Sequence, residues 1–301
     1  MRAVQFETYG GPEVLDVIDV PAPHAGPGQI RIAVKAAAVN PSDYKTRAGY
    51  MRALRELELP AGLGAEGAGV VDEVGEGVTD VSVGDAVFGL GSGLFAEYAV
   101  LDVWAKKPKA MSFNEAAGIS SGAEASVRLL KLARVQRGQT ILVSGAAGGL
   151  GSALIQLAKR RGVNVIGTAT EPKHAYLRAL GAVPTTYGDG LVDRVRDLAP
   201  NGVDAAFDIA GSGVLPELIE ITGDPSKVAT VIFAESKKAD VLSTFARSER
   251  ADEALREVAQ AVEEGQFRMH IDRTFALDEV GAATAHVSER RTTGKSIVVV
   301  S

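Results

Sequence analysis

Between Gln139 and Lys159 a short apolar run, Thr140-Ile141-Leu142-Val143, gives way to a turn of small residues and then to a segment without charge until Lys159. A continuous apolar run of this length reads as a strand buried on both faces, and the uncharged segment after it as a buried helix. The alternation then repeats. Val163–Thr168 reads as a second strand, His174–Leu180 as a helix closed by Gly181, Val183–Thr186 as a third strand and Val203–Asp208 as a fourth. Lys227–Phe233 supplies a fifth strand. From Arg250 to Glu264, Leu255, Val258 and Val262 share one helical face while Arg256, Glu257 and Glu263 face away, the pattern of a helix that covers a sheet. Repeated β-α units of this kind predict a doubly wound parallel sheet.

The first 115 residues follow another rhythm. Short alternating runs such as Gln29–Lys35 and Gly69–Val74 are punctuated by Pro21-Ala22-Pro23 and Gly26-Pro27-Gly28, which predicts β-strands joined by turns. A chain of 301 residues exceeds the usual single domain, so a β-rich domain beside an α/β domain is expected.

The turn after the first apolar strand carries the candidate chemistry. Ala146-Ala147-Gly148-Gly149-Leu150-Gly151 is built of small residues, as needed where backbone N–H groups approach a pyrophosphate, and the following helix presents its unbonded amides and positive dipole end. The dinucleotide fingerprint usually opens with glycine, and Ala146 stands at that place. By the rule that ligands bind at strand carboxyl ends, the backbone of Ile209-Ala210-Gly211 lines the same crevice.

Composition narrows the alternatives. The formal charge is −6 with Lys and Arg scattered, which speaks against a nucleic-acid partner or a polybasic membrane patch. The chain has no cysteine, which removes disulfides, thiol catalysis and thiolate zinc sites. No apolar run approaches bilayer-spanning length, and Met1-Arg2-Ala3-Val4 runs directly into a strand-like segment, so a cytoplasmic protein without a membrane partner is expected.

Four ordered motifs, Tyr9–Leu15, Asn40-Pro41-Ser42-Asp43, Gly64–Gly69 and Val83–Val87, together with the glycine turn, resemble the medium-chain dehydrogenase/reductase superfamily, in its zinc-independent quinone oxidoreductase branch. The resemblance covers nearly the whole chain. It implies an α/β protein: a Rossmann NADPH-binding domain over 116–265 and a β-rich GroES-like domain formed by both termini, 1–115 and 266–301. The second of these would close with Gly294–Val300 as its last strand. Zinc-dependent relatives read Gly-His-Glu where this chain has Gly64-Ala65-Glu66, and His24, His174, His270 and His286 are too scattered for a ligand set, so no metal is expected.

The resemblance also implies roles for particular residues. Ala147, Gly148, Gly149, Leu150 and Gly151 would form the pyrophosphate cradle. Thr168, Thr170 and Lys173 resemble the groups that receive the 2′-phosphate of NADPH, with Glu171 turned outward, although Lys173 reads equally well as a solvated lysine at a helix start. Tyr187 matches a tyrosine near the adenosine phosphate; a half-buried tyrosine at a sheet end is the alternative. Ala210 would line the cofactor crevice, and Ile232, Phe233 and Ala234 would lie beside the nicotinamide, or Phe233 would simply pack in the core. Asn40, Asp43 and Tyr44 would sit on the substrate-facing loop, although Asn40 reads equally well as holding that loop together, and Asp43 could pair with Arg47 if the segment is helical. Glu124 replaces a hydroxyl of relatives and is either a proton donor or substrate-binding group or a solvent-facing or capping carboxylate, the latter favoured. The implied activity is hydride transfer from NADPH to a quinone or α,β-unsaturated carbonyl by a homodimer. The alternative is an NADPH-binding redox sensor or structural protein.

Overall fold

The computed structural model describes residues 1–54, 56–232, 236–237, 239–243 and 251–300. They form two compact units, one of Met1–Ser121 with Leu255–Ser301 and one of Gly122–Ala254.

In the first unit β1 (Arg2–Phe6), β2 (Asp16–Asp19) and β4 (Ala61–Gly62) make a small antiparallel sheet. The larger sheet is organised around β3 (Ile30–Val39), which pairs with β5 (Glu66–Val74) on one side, while β6 (Ala86–Ser92) and β7 (Tyr98–Lys106) continue from β5. β7 returns to pair with the first half of β3, so these four strands close on themselves. Ile30, Ile32 and Val34 alternate inward along β3 and meet Phe95, Leu101 and Phe6 in the core. Burying each such side chain contributes about 1.5–3 kcal/mol. Three helices are seated among these strands, α1 (Pro41–Arg47), α2 (Phe113–Ala117) and the start of α3 (Ser120–Leu132).

The second unit is a parallel sheet of β8 (Thr140–Ser144), β9 (Asn164–Thr168), β10 (Val183–Thr185), β11 (Ala205–Asp208), β12 (Val228–Thr230) and β13 (Leu242–Ser243). Their order, β10-β9-β8-β11-β12-β13, is that of the doubly wound dinucleotide fold. Ile141 and Val143 pack on one face against Leu154, Ile155 and Ala158 of α4 (Gly149–Arg160). Leu142 and Ile166 pack on the other against α6 (Leu191–Leu198) and α7 (Leu215–Thr222), while the short α5 (His174–Ala179) follows β9. Both faces are thus covered, which is why the strands read as unbroken apolar runs.

One expectation changes here. The fifth strand stops at Thr230 instead of running to Phe233, because Thr230 turns its hydroxyl onto the Ile232 N–H and so ends the strand. The two-residue β13 is too short to leave a periodic signal. The amphipathic helix is α8 (Ala251–Glu263). Within α8 the chain returns to the first unit, which it completes with β14 (Ile271–Ala276), α9 (Val280–Ser288) and β15 (Lys295–Val299), the last lying antiparallel to the end of β3. An α/β protein with a β-rich unit built from both termini and a doubly wound parallel sheet is what the chain forms.

Candidate active site

The glycine turn opens one residue earlier than the fingerprint suggested. Gly145 leaves β8 at φ +83°, a left-handed conformation, and a Cβ there would meet Ala210 at 3.1 Å. Its N–H donates to Thr168 Oγ1 at 3.4 Å and the Ala146 N–H to Thr168 O at 3.2 Å, so the turn is tied to the end of β9. The effective spacing is Gly145-x-x-Gly148-x-x-Gly151. Gly151 permits close helix–strand packing, because a Cβ there would lie 2.6 Å from the Ala146 backbone. Ala146 fits in place of glycine because residue 167 is itself glycine; a Cβ at 167 would fall 2.8 Å from that of Ala146.

In front of the turn the space is open. A Cβ at Gly148 would meet nothing nearer than Gly145 O at 3.7 Å, and the amides that begin α4 have no acceptor within the helix. Gly148, Gly149 and Leu150 are half-buried, whereas Ala147 and Gly151 are buried. Ser152 Oγ accepts from or donates to Tyr176 Oη at 2.8 Å and lies 2.8 Å from Gly148 O, so α5 braces the cradle from behind.

A polar row marks the carboxyl ends of the strands. Thr185 pairs with Thr168, Asp208 lies between Ser144 and Thr230, and Thr230 pairs with Ser243. Asp208 Oδ1 accepts from the N–H groups of Ala210 at 3.1 Å and Gly211 at 3.0 Å, which shapes the loop containing Ala210. Its Oδ2 is buried without a protein partner, and burial raises the carboxyl's pKa against those two donors. An orphaned buried oxygen beside an open glycine cradle fits a polar dinucleotide.

The other nucleotide-side residues fall as follows. Thr168 is buried with its hydroxyl on the Gly145 N–H, whereas Thr170 is exposed and Lys173 half-buried in the turn that follows β9. Glu171 is exposed. Tyr187 is 60% exposed just past β10. Ile232 is half-buried; Phe233 and Ala234 lie outside the described residues.

The first unit holds a second cluster. Asp43 Oδ2 accepts the Asn40 N–H at 2.6 Å and Oδ1 the Gly64 N–H at 3.2 Å, so the carboxylate fastens the start of α1 to the segment before β5. Burial pushes Asp43 up to about 7, opposed by those two N–H groups and the Lys295 charge and reinforced by Glu66. The Asn40 side chain lies between charges: Oδ1 accepts from Lys295 Nζ at 2.6 Å and Nδ2 donates to Glu66 Oε1 at 2.9 Å. Lys295 Nζ also donates to Glu66 Oε1, and Glu66 Oε2 accepts the Ser121 N–H at 2.7 Å. Sequence reasoning missed Lys295 and the role of Glu66, since 229 residues separate them.

Three further readings are settled by these contacts. Asp43 does not pair with Arg47, although the segment is helical; Arg47 turns inward, to Gly10 O at 3.2 Å and Thr284 Oγ1 at 2.7 Å. Tyr44 is packed in the apolar core. Glu124 neither faces solvent nor caps a helix: it is buried on α3, and its oxygens accept from Arg128 Nε at 2.8 Å and a terminal nitrogen at 3.1 Å. The i,i+4 spacing on α3 brings that pair together.

Among the described residues no three His, Asp or Glu side chains gather as a metal-binding group. His24 faces Glu73 at 3.2 Å and His286 faces Asp272 at 2.7 Å. With both Glu66 oxygens already accepting hydrogen bonds, the donors present do not fit a three-ligand catalytic zinc. Nor is any helix among them long and apolar enough to cross a membrane.

A doubly wound sheet with a glycine cradle, joined in one chain to a closed β unit with a buried polar cluster, defines a nucleotide-dependent oxidoreductase architecture. Residues 26–109 match the alcohol dehydrogenase GroES-like domain family, and residues 180–298 the zinc-binding dehydrogenase family. A quinone oxidoreductase of Pseudomonas aeruginosa is 32% identical over 99% of this chain and 99% of that protein. A 2-methylene-furan-3-one reductase of Solanum lycopersicum is 30% identical over 99% of this chain and 79% of its own length. A mycobacterial protein solved in complex with NADPH superposes with a TM-score of 0.85 at 28% identity, covering 99% of this chain and 100% of its own. The chain belongs to the medium-chain dehydrogenase/reductase superfamily, among the quinone oxidoreductase-like members.

Proposed function

We propose that this chain is a zinc-independent, NADPH-dependent reductase of quinones or α,β-unsaturated carbonyls. The observation that carries this reading is the engagement of Glu66 by Lys295, Asn40 and the Ser121 amide. The carboxylate is occupied where zinc-dependent relatives read Gly-His-Glu, so an alcohol oxygen finds no metal-type electrophile there. Acceptors that are already electron-poor suit such a site. When bound, NADPH supplies the hydride.

The chain's own groups divide the remaining work. The backbone of Ala147–Gly151 would hold the pyrophosphate and Thr170 with Lys173 the 2′-phosphate, while Thr168 fixes the turn from inside and Tyr187 covers the adenosine end. Ala210, Ile232, Phe233 and Ala234 would bound the nicotinamide. Asn40 would present the polar group to the acceptor, while Asp43 would hold the Asn40 backbone and Tyr44 would pack behind that loop; Glu124 would act through its pair with Arg128. A homodimer in the cytoplasm completes the reading. The NADPH-binding sensor remains the second reading, favoured by one observation: both Asp43 oxygens are spent on backbone N–H groups, and Tyr44 is in the core.

NADPH oxidation followed by absorbance across a panel of small quinones and enones separates the two. Turnover with at least one acceptor is expected; NADPH binding without turnover on any would establish the sensor. Activity should survive exhaustive chelation, with zinc well below stoichiometric in the purified protein; loss of turnover on removing stoichiometric zinc would contradict the reading. Calorimetry should show NADPH bound more tightly than NADH. Lys173→Ala should weaken NADPH alone, by about 1–3 kcal/mol for a charge-assisted hydrogen bond. Equal losses for both cofactors would remove Lys173 from the phosphate site.

A further inference from the structure

We infer that Lys295 and Glu66 are positioning residues for Asn40: they lock its side-chain amide in one orientation so that its second Nδ2–H is presented to the carbonyl oxygen of the acceptor. The inference deepens the proposed reductase function and rests on that reading for Asn40 as the group facing the acceptor.

The geometry leaves the amide no alternative orientation. Oδ1 faces the Lys295 ammonium at 2.6 Å and Nδ2 faces the Glu66 carboxylate at 2.9 Å. A flip would set the amide NH2 against an ammonium and its carbonyl against a carboxylate, replacing two charge-assisted hydrogen bonds by two repulsions. The backbone is held as well, because the Asn40 N–H donates to Asp43 Oδ2. Of the two Nδ2 hydrogens only one is taken by Glu66, which leaves one donor.

The supporting pair is itself fixed. Glu66 is fully buried and its other oxygen accepts the Ser121 N–H at 2.7 Å. Lys295 is 5% exposed, and its stem packs where a Cβ on Gly118 would meet Lys295 Cγ at 3.1 Å. Asn40, by contrast, is only half-buried, the least buried residue of the three. Burying an ion pair seldom stabilises a fold relative to apolar side chains, and orienting a functional group is a use that would retain it. NADPH, when bound, would supply a hydride to an enone or quinone acceptor; charge would then develop on the carbonyl oxygen, where the Asn40 N–H would donate to it, and a proton from solvent would complete the reduced product.

The test is a set of variants assayed with NADPH and either 1,4-benzoquinone or a small enone. Lys295→Met alone strands a buried carboxylate, so the informative variant is Glu66→Gln/Lys295→Met, which removes both charges together. It should remain folded by circular dichroism and bind NADPH as the parent does, while kcat falls about ten- to thirtyfold and acceptor KM moves less than threefold. Asn40→Ala should lower kcat to a similar degree, and adding it to the double variant should cost nothing more. Lys295→Arg, which keeps the cation, should restore most of the rate. Parental kcat in the double variant, or losses that multiply with Asn40→Ala, would overturn the inference while leaving the reductase reading intact. A parent inert to every acceptor would overturn both. The Asn40 side-chain amide signals in NMR read the lock without turnover. They should be sharp and dispersed in the parent and averaged in the double variant, and unchanged signals would refute the lock.

Discussion

Gly148→Val is expected to yield a folded protein that has lost most of its NADPH affinity, roughly a hundredfold or about 2.8 kcal/mol. The backbone tolerates the change, because Gly148 sits at φ −75° and ψ 175°, extended values open to any residue. The space tolerates it too, with only Gly145 O at 3.7 Å from the new Cβ. Loss of glycine at the N-cap of α4 costs on the order of 1 kcal/mol. The ligand cannot be so accommodated: a branched side chain would project where the pyrophosphate approaches the first amides of α4. Calorimetry with circular dichroism reads both parts. A folded variant that binds NADPH like the parent would show that this turn is not the cradle.

The neighbouring positions should respond differently. Gly151→Ala places a methyl 2.6 Å from the Ala146 backbone and is expected to destabilise the fold by about 1–3 kcal/mol or more. Ala146→Gly restores the usual fingerprint residue and should leave binding within a few-fold. It removes the methyl that fills the space beside Gly167, so a loss of about 1 kcal/mol in stability should accompany it.

Most of the sheet was legible because strands buried on both faces leave unbroken apolar runs, as at Thr140–Val143 and Val203–Asp208. Ends of elements were less legible, since local hydrogen bonds decide them: Thr230 stopping β12 is one case, and the left-handed Gly145 opening the turn is another. The glycine turn could be read from one stretch of sequence. The polar row at the strand ends could not, because each member is a single hydroxyl or carboxyl at the end of an apolar run, and only register brings Ser144, Asp208 and Thr230 together. The Lys295–Glu66–Asn40 cluster was hidden for the same reason, its members coming from β15, β5 and the residue before α1. Glu66 was visible inside a motif, but nothing in the order of residues told that a lysine near the end of the chain would reach it. Asp43 was visible as well; spacing suggested Arg47 as its partner, and the inward turn of that arginine is a consequence of packing.

Asp43 should make the protein lose stability as pH rises from about 4 toward neutrality. Its carboxyl titrates near 7 in the folded chain, because burial outweighs the Asn40 and Gly64 N–H donors and the Lys295 charge, against an ordinary value of 3.8 when unfolded. The folded state therefore holds a proton that the unfolded state releases. Its stabilising contribution is complete below about pH 4, declines by about 1.4 kcal/mol per pH unit up to about 7, and is flat above, a total on the order of 4 kcal/mol. Asp43→Asn removes the titration. An amide has one acceptor oxygen for two backbone N–H groups, so the variant starts less stable, and the slope with pH is the readout, not the level. Urea unfolding at intervals from pH 4 to 8 should show the parent falling toward the variant as pH rises, with background titrations cancelling in the difference. Parallel curves for the parent and Asp43→Asn would mean that Asp43 is ionised throughout, held by its two N–H donors and Lys295 in spite of its burial.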